Sequence, residues 1–412
     1  MTLRAATDIA LHTHDVAIVG GGLVGGTLAV ALAREGLDVA LIDRLPPSAG
    51  IAPTFDGRAS AIALAGRRLL DAVGIWRHIG ERAAPIREIR VSDGPSLMFL
   101  HYDHAEVGGE PLGEMVENRH IRAAIAAALD DLSDCLTVIA PVAVTGFAQT
   151  ADAAQLSLAD GRNISARLAI SAEGRDSRLR TAAGIATTGW SYDQTAIVAT
   201  IGHAVDHAGI AHERFLTPGP FAILPLPGGH RSSLVWTESA RLAADYLALP
   251  EDRFLAEIGM RVGGFLGELS LIGPRFSYPL GLQFAETYVR GRLALIGDAA
   301  HGIHPIAGQG LNLGLRDVAA LTELLVDAHR LGLDPANAAT MDAYGRWRRA
   351  DNLLMGAVTD VLNRLFANEA APIRLARDAG LEAVNRLPPL KKFLMKQAMG
   401  VVGDLPRLMR GP

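Results

Sequence analysis

The apolar positions change period twice between Val16 and Ile42. Val16 to Val19 is a continuous apolar run of strand length, Gly26 to Glu35 follows as a helix-length segment, and Leu37 to Ile42 is a second short run. The pattern predicts strand, turn, helix and strand over residues 15–42. Residues 87–103 read as two strands joined at Asp93-Gly94. Arg122 to Leu132 reads as an Ala-rich helix, and 136–148 and 155–172 as strands, the second broken by a turn at Asp160-Gly161. A β-rich middle follows, with short strands at Ile197–Ile201, Phe221–Leu226 and Ser232–Thr237, set apart by Pro/Gly breaks at 217–220 and 227–229. Helical spacing returns between 239 and 268. The apolar strand Leu293 to Ile296 ends at Gly297-Asp298. A loop carrying Pro305, Gly308 and Gly310 then feeds a segment with Leu311, Leu315, Val318 and Leu325 at helical spacing. Helices fill the remainder, so the chain reads as a doubly wound α/β body interrupted by a β-sheet insertion.

Composition narrows this picture. The 412 residues allow two or three domains, and 49% apolar with 20% charged residues is ordinary for a soluble globular protein. A net charge of −5 argues against general nucleic-acid binding. The single cysteine, Cys135, excludes a disulfide framework and a cysteine-based zinc site, and is expected to be a small core residue. Val16 to Ala33 is uncharged and long enough to mimic a membrane span, but it contains five glycines, follows Asp15 and has no basic cluster at its start. A turn-centred βα unit fits better, and no cleaved signal and a cytoplasmic location are expected. All three lysines, Lys391, Lys392 and Lys396, lie near the C-terminus, which excludes lysine Schiff-base chemistry elsewhere. Leu390, Phe393, Leu394 and Val401 can share a helical face beside them, which suits either a membrane-surface helix or a docked terminal helix.

Two segments carry candidate chemistry. Gly20-Gly21-Gly22-Leu23-Val24-Gly25 satisfies G-x-G-x-x-G between a strand and a helix, and the next strand ends at Asp43-Arg44. Such glycines let a pyrophosphate approach the backbone, the helix N-terminus stabilises its charge, and Asp43 can accept from an adenosine ribose. The fingerprint serves NAD or FAD. The second segment, Gly297-Asp298 with Gly308-Gln309-Gly310, offers a carboxylate at a strand tip and another glycine-lined helix start, which an extended FAD needs and a nicotinamide does not. His301 and His304 share that loop, but no third ligand stands near, so no metal is expected. Neither a G-x-S-x-G elbow nor a second dinucleotide fingerprint occurs.

With the fingerprint, the central motif at 172–180 and GDAAHGIHPIAGQGLN in order, the chain resembles the para-hydroxybenzoate hydroxylase-type flavoprotein monooxygenases. DGRASAIAL (56–64), MVENRHIRAAI (115–125), GPFAILPL (219–226) and YGRWRRADN make it most similar to the ubiquinone-biosynthesis hydroxylases, which oxidise polyprenylated phenols. The resemblance implies a Rossmann-like FAD-binding domain (14–75, 105–185 and 285–345), a β-sheet substrate domain (76–104 and 186–284) and a C-terminal helical region (346–412). It implies that Asp298 binds the ribityl chain, that Gly310, Leu311 and Asn312 present N–H groups to the flavin edge, and that Pro305 sits beside the reactive carbon. It also implies that Arg58 reaches the pyrophosphate and faces the active site, and that Asn118 lies near the flavin, although Arg58 also suits a surface ion pair and Asn118 a helix N-cap. His301 is expected to be structural and His304 to line the active site. Glu173 departs from the family's usual Asp-Gly pair, and a turn with salt-bridged arginines is the alternative for that motif. The expected chemistry is FAD-dependent hydroxylation of a polyprenylated phenol by O₂ through a flavin hydroperoxide. NAD(P)H or an electron-transfer protein would be the reductant, with Phe221, Ile223, Leu224, Pro225 and Trp236 as a dry wall. A membrane-surface contact or a quinone-synthesis complex completes the expected partners. A flavin-dependent reductase or oxidase and a non-catalytic FAD-binding subunit are the alternatives.

Overall fold

The computed structural model describes residues 12–52, 54, 56–94, 99–304, 306–366 and 371–411. The chain opens with β1 (His12–Val19), α1 (Leu23–Arg34) and β2 (Val39–Ile42). Next come β3 (Ala59–Ala63), α2 (Leu64–Ala72), β4 (Ala83–Ile86), β5 (Glu88–Asp93), β6 (Phe99–Asp103), β7 (Gly113–Glu117) and α3 (Asn118–Asp130). β8 (Leu136–Ile139), β9 (Val144–Gln149), β10 (Ala154–Leu158), β11 (Asn163–Ser171) and α4 (Arg178–Ala182) lead into the insertion. That insertion runs through β12 (Thr187–His203), β13 (Ile210–Leu216), β14 (Gly219–Pro225), β15 (Arg231–Ser239), α5 (Ala240–Ala248), α6 (Glu251–Val262) and β16 (Leu269–Ala285). The chain then returns through β17 (Val289–Arg290), β18 (Leu293–Leu295), β19 (His301–Gly302), α7 (Gln309–Arg330), α8 (Ala338–Phe366), α9 (Ala371–Arg386) and α10 (Pro388–Ala398).

The first sheet has the order β17-β18-β11-β1-β2-β8, with β1 parallel to both β11 and β2. Val16, Ala17, Ile18 and β2 are fully buried because helices cover the sheet, so these strands are uninterrupted apolar runs. β18, from late in the chain, pairs in parallel with β11, so the layer is closed by strands far apart in sequence. α1 lies against α7 and α3 in this layer. Val16 to Ala33 is accordingly β1 and α1, and among the described residues no helix is long and apolar enough to cross a membrane.

The second sheet has the order β19-β16-β12-β15-β14-β13-β5-β6. β12 and β16 are 17 residues each; the pattern predicts only Ile197–Ile201 of the first and no strand over the second. β13 is hidden in the sequence by polar His212, Glu213 and Arg214. A third sheet, β3-β7-β4, lies between the two layers. Because β4 pairs with β7, residues 83–86 pair outside the insertion sheet, and among the described residues of the expected 76–104 piece β5 and β6 join it. Cys135 is exposed in the turn after α3, not in the core, its thiol donating to the Leu132 carbonyl at 3.4 Å.

Candidate functional site

The two glycine turns converge. Gly20 has φ +106°, and a Cβ there would lie 2.4 Å from the Ala172 carbonyl, so only glycine permits the passage from β1 into α1 beside β11. Asp43, at the end of β2, accepts from Gly21 N (2.5 Å) and Leu45 N (2.8 Å), one backbone donor per oxygen, which leaves lone pairs for hydroxyl donors. Arg44 beside it is exposed. A cleft lined by Gly21, Gly22, Asp43, Pro46, Leu129 and Val138 opens above this turn. At the second turn Gly308 caps α7 in the left-handed region (φ +63°), and the first N–H groups of α7, from Gln309 to Asn312, face away from the helix body. A Cβ at Gly22 or Gly310 would meet nothing within 4 Å, so both helix starts have room for a ligand. Val24 joins them: a Cβ on Gly297 would lie 3.3 Å from its side chain, and one on Gly314 only 2.7 Å. Leu23 and Leu311 pack against the same core.

Between the cradles stands a buried carboxylate that the sequence reading missed. Asp56 accepts from Arg58 Nε and a terminal nitrogen, both at 2.9 Å, from Asn118 Nδ2 (3.3 Å), from Arg122 (3.3 Å) and from the Tyr278 hydroxyl (3.3 Å). Burial opposes its charge, but the hydrogen bonds and charge of Arg58 win and hold its carboxyl well below the usual range. Arg58 stays half-open, its guanidinium lying 4.6 Å from the Tyr278 ring centre. Arg58 is thus ion-paired, but to a buried partner rather than on the surface. Asn118 is the first residue of α3, not its cap, and its buried side chain accepts from Ser60 Oγ at 2.6 Å. The Asn312 side chain bridges α7 to β3, accepting from Ala63 N (2.9 Å) and donating to Ala61 O (2.8 Å). The only advance signal for Asp56 is its place in DGRASAIAL.

The central motif acts as a clasp. Glu173 accepts from Ser171 Oγ (3.1 Å), Ser177 Oγ (2.8 Å) and Leu179 N (2.9 Å), which closes the start of α4. The arginines of the turn are engaged at the strand tip: Arg175 forms a salt bridge with Asp298 at 3.8 Å, as the salt-bridged alternative for this motif expects, and Arg180 donates to the Ala299 carbonyl at 3.0 Å. Asp298 keeps a half-exposed side chain.

His301 and His304 part company. His301 Nε2 lies 2.5 Å from Asp317 Oδ2 in a fully buried network with Arg348 and Asn352, and the same carboxylate accepts from Gly297 N at 2.9 Å. His304 is fully buried, lies 3.3 Å from Gln194 Oε1 and meets the Tyr192 ring edge-on. Burial, then Arg175, pushes its imidazole down to about 4, so it is neutral at physiological pH. Pro305 lies outside the described residues. Among the described residues no cluster could hold a metal.

The expected dry wall needs correction. Phe221, Ile223 and Trp236 face α5 and α6, packed with Ala243, Phe254 and Ile258, and Trp236 also lies under Arg261. Each contributes about 1.5–3 kcal/mol of burial to the insertion's own core. Pro225 is buried at the same strand parity. Leu224 alone of the five belongs to the other face, toward the first layer, where it packs near Met115 and Ala211. On that face Thr200, Glu213, Leu224 and Val235 keep open surface although all sit on interior strands. Ala222 and Ala196 are the small residues of that face; at its margins Ile306 packs against Phe215, and Phe276 lies against Gly57.

Comparison with known proteins places these features. Residues 13–353 match the family model described as FAD binding domain. The chain is 54% identical to ubiquinone hydroxylase UbiL of Rhodospirillum rubrum over 98% of its own length and 94% of that protein. It is 35% identical to the 3-demethoxyubiquinol 3-hydroxylase of Escherichia coli, covering 94% of this chain and 98% of that one. Among solved structures, p-nitrophenol 4-monooxygenase from Pseudomonas putida superposes with a TM-score of 0.78 at 20% identity, over 94% of this chain and 99% of that one, a likeness of fold.

Proposed function

The chain belongs to the FAD binding domain family and, within it, to the ubiquinone-biosynthesis hydroxylases, and on that premise we propose that it hydroxylates the ring of a polyprenylated phenol. The observation that carries the reading is the junction at Val24, which brings two glycine-lined helix starts from opposite ends of the chain into contact. One extended dinucleotide suits that arrangement, its pyrophosphate at the start of α1 and its ring edge at the start of α7. Asp43 would hold the adenosine ribose and Asp298 the ribityl chain. FAD, when bound, supplies the electron transfer and oxygen activation that no side chain here can perform.

The protein's own residues supply position, charge and dryness. Asp56 fixes Arg58, so a cation stands beside the ring site without side-chain freedom to lose. The α7 N–H groups would stabilise negative charge on the ring edge of bound FAD. Neutral His304 holds the loop by accepting from Ile306 N (3.3 Å) and donates no proton at neutral pH. The open face of the second sheet receives the phenol, and the apolar side chains on it, Leu224, Ala222 and Val235 among them, limit water at the reacting centre. NAD(P)H or an electron-transfer protein is the reductant. Exposed Leu387, Leu390 and Phe393 beside Lys392 support a peripheral contact with an anionic membrane, where a prenylated substrate resides.

The test is oxygen-isotope incorporation. The purified protein is expected to carry FAD near one per chain and to insert one atom of labelled O₂ into a polyprenylated phenol when supplied with reductant. Saturation of a prenyl double bond without label would assign a reductase instead, and FAD that reductant and O₂ cannot cycle would assign a non-catalytic subunit.

A further inference from the structure

Glu213 lies on the open face of the second sheet. On β13 it is paired directly with Ala222 of β14 and beside Val91 of β5. Two residues before it, Ala211 packs against the cluster of Met115 and Met395; two residues after it, Phe215 stacks on Phe366 and packs against Ile306 of the glycine loop. Strand parity therefore puts Glu213 on the same face as these two contacts, between them. Its neighbours across the sheet, Ala222, Val235 and Val91, are apolar. Among the described residues no hydrogen bond or ion pair reaches its carboxylate. The ionisable groups on the surrounding elements are engaged elsewhere: Asp93 with Arg377 (2.8 Å), Lys391 with Glu106 (2.6 Å), Asp360 with Tyr192 (2.9 Å), and Arg58 with Asp56. Tyr102, on the same face, is held neutral by burial. A carboxylate left in apolar surroundings costs stability and has no structural use here, which is the signature of a group kept for chemistry.

We propose that Glu213 is the catalytic base that takes the hydroxyl proton of the substrate phenol as oxygen is transferred to its ring. The assignment rests on the hydroxylase reading. In the step, the phenol O–H bond breaks, the proton passes to a Glu213 carboxylate oxygen, and the freed electron pair flows into the ring as the new C–O bond forms. One atom of O₂ enters the ring and the other leaves as water, with two electrons from the reductant. The ring then loses its own hydrogen as a proton, and Glu213 returns its proton to the product oxygen. Burial pushes the Glu213 carboxyl up to about 7, so it is poised to accept at the working pH and is blocked by protonation below it.

The test compares FAD-loaded wild type, Glu213→Gln and Glu213→Asp on a prenylated phenol. Glu213→Gln is expected to retain FAD and its reduction rate but to lose hydroxylation by about 100-fold. Wild type should lose rate on the acid side with a midpoint near 7, Glu213→Gln should lose that limb, and Glu213→Asp should recover part of the rate with the limb intact. Independently of turnover, the protonated-carboxyl infrared band of wild type should titrate near 7 and shift on phenol binding, and should be absent from Glu213→Gln. Removing a half-buried, unpaired charge should leave Glu213→Gln melting at or above wild type at alkaline pH. A wild-type rate, or an unchanged acid limb, in Glu213→Gln would overturn the proposal. If wild type itself hydroxylates no phenol, the hydroxylase reading fails, and the infrared titration separates that result from a mistaken choice of base.

Discussion

At the scale of single residues, the chain puts its charge where solvent cannot reach it. Asp317, wholly buried, is pushed up by desolvation yet drawn down to about 2 by His301 and Arg348. Its folded value lies below its ordinary one near 3.8, so the stability it contributes is present above that value and is lost as pH falls from about 4 through 2. Asp317→Asn removes the buried charge partner of Arg348 and leaves it only the partly exposed Asp351 at 2.7 Å, and denaturant unfolding at neutral pH should show a loss of about 3–5 kcal/mol. A loss below 1 kcal/mol would mean the network is not what anchors Gly297. YGRWRRADN, which carries part of the family resemblance, is explained by this network, since Arg348 and Asn352 are its members. That role could not be read from spacing: Asp317 and Arg348 lie on different helices, and nothing local distinguishes a buried arginine from a solvated one. Asp56 and Glu213 escaped the sequence for the same reason, because a carboxylate's meaning depends on what surrounds it in space.

At the scale of elements, what could be read in advance was whatever leaves a periodic trace. β1, the glycine turn, α1 and β2 were legible because an apolar period, a G-x-G-x-x-G turn and a terminal acid coincide within thirty residues. The face that β14 and β15 turn toward the site was not. Phe221 and Ile223 flank small Ala222, but a strand buried on both sides gives no polar face to set its direction; these two bulky residues belong to the helix-covered side and Leu224 to the other. The alternation of Phe221 and Ile223 with Ala222 is the usable trace: where a ligand must fit, the chain places the smaller residue. The interlock of α1 with α7 gives a direct prediction. Gly314→Ala forces a Cβ to 2.7 Å from Val24, which should cost about 1–3 kcal/mol in thermal unfolding and weaken FAD retention. Adding Val24→Ala should restore most of both. Additive losses in the double variant would show that the two helices are not coupled through this contact.

At the scale of the whole molecule, three lysines and the C-terminal helices join the site to its surroundings. α10 is docked by Met395 and Met399, with Lys391 paired to Glu106 at 2.6 Å, while Leu387, Leu390 and Phe393 remain exposed. The docked and membrane-surface readings of this segment therefore describe opposite faces of one helix. The full-length protein is expected to sediment with vesicles containing anionic lipid. Leu390→Ser with Phe393→Ser should reduce the bound fraction several-fold and leave the pelleted fraction with neutral vesicles unchanged. Equal sedimentation of the double variant with anionic vesicles would sink the contact.

The closure of the first sheet by β18 also constrains how the protein is made. β1 leaves the ribosome first, yet the strand beyond β11 and the second cradle at Gly297 emerge only after the insertion has been synthesised. On the FAD placement proposed above, a nascent chain would meet the adenosine half of the group early but would have no residues for the isoalloxazine half until translation has passed Asn312. Flavin capture is then expected late in biogenesis, and a ribosome stalled within the insertion should hold a chain with only half a grip.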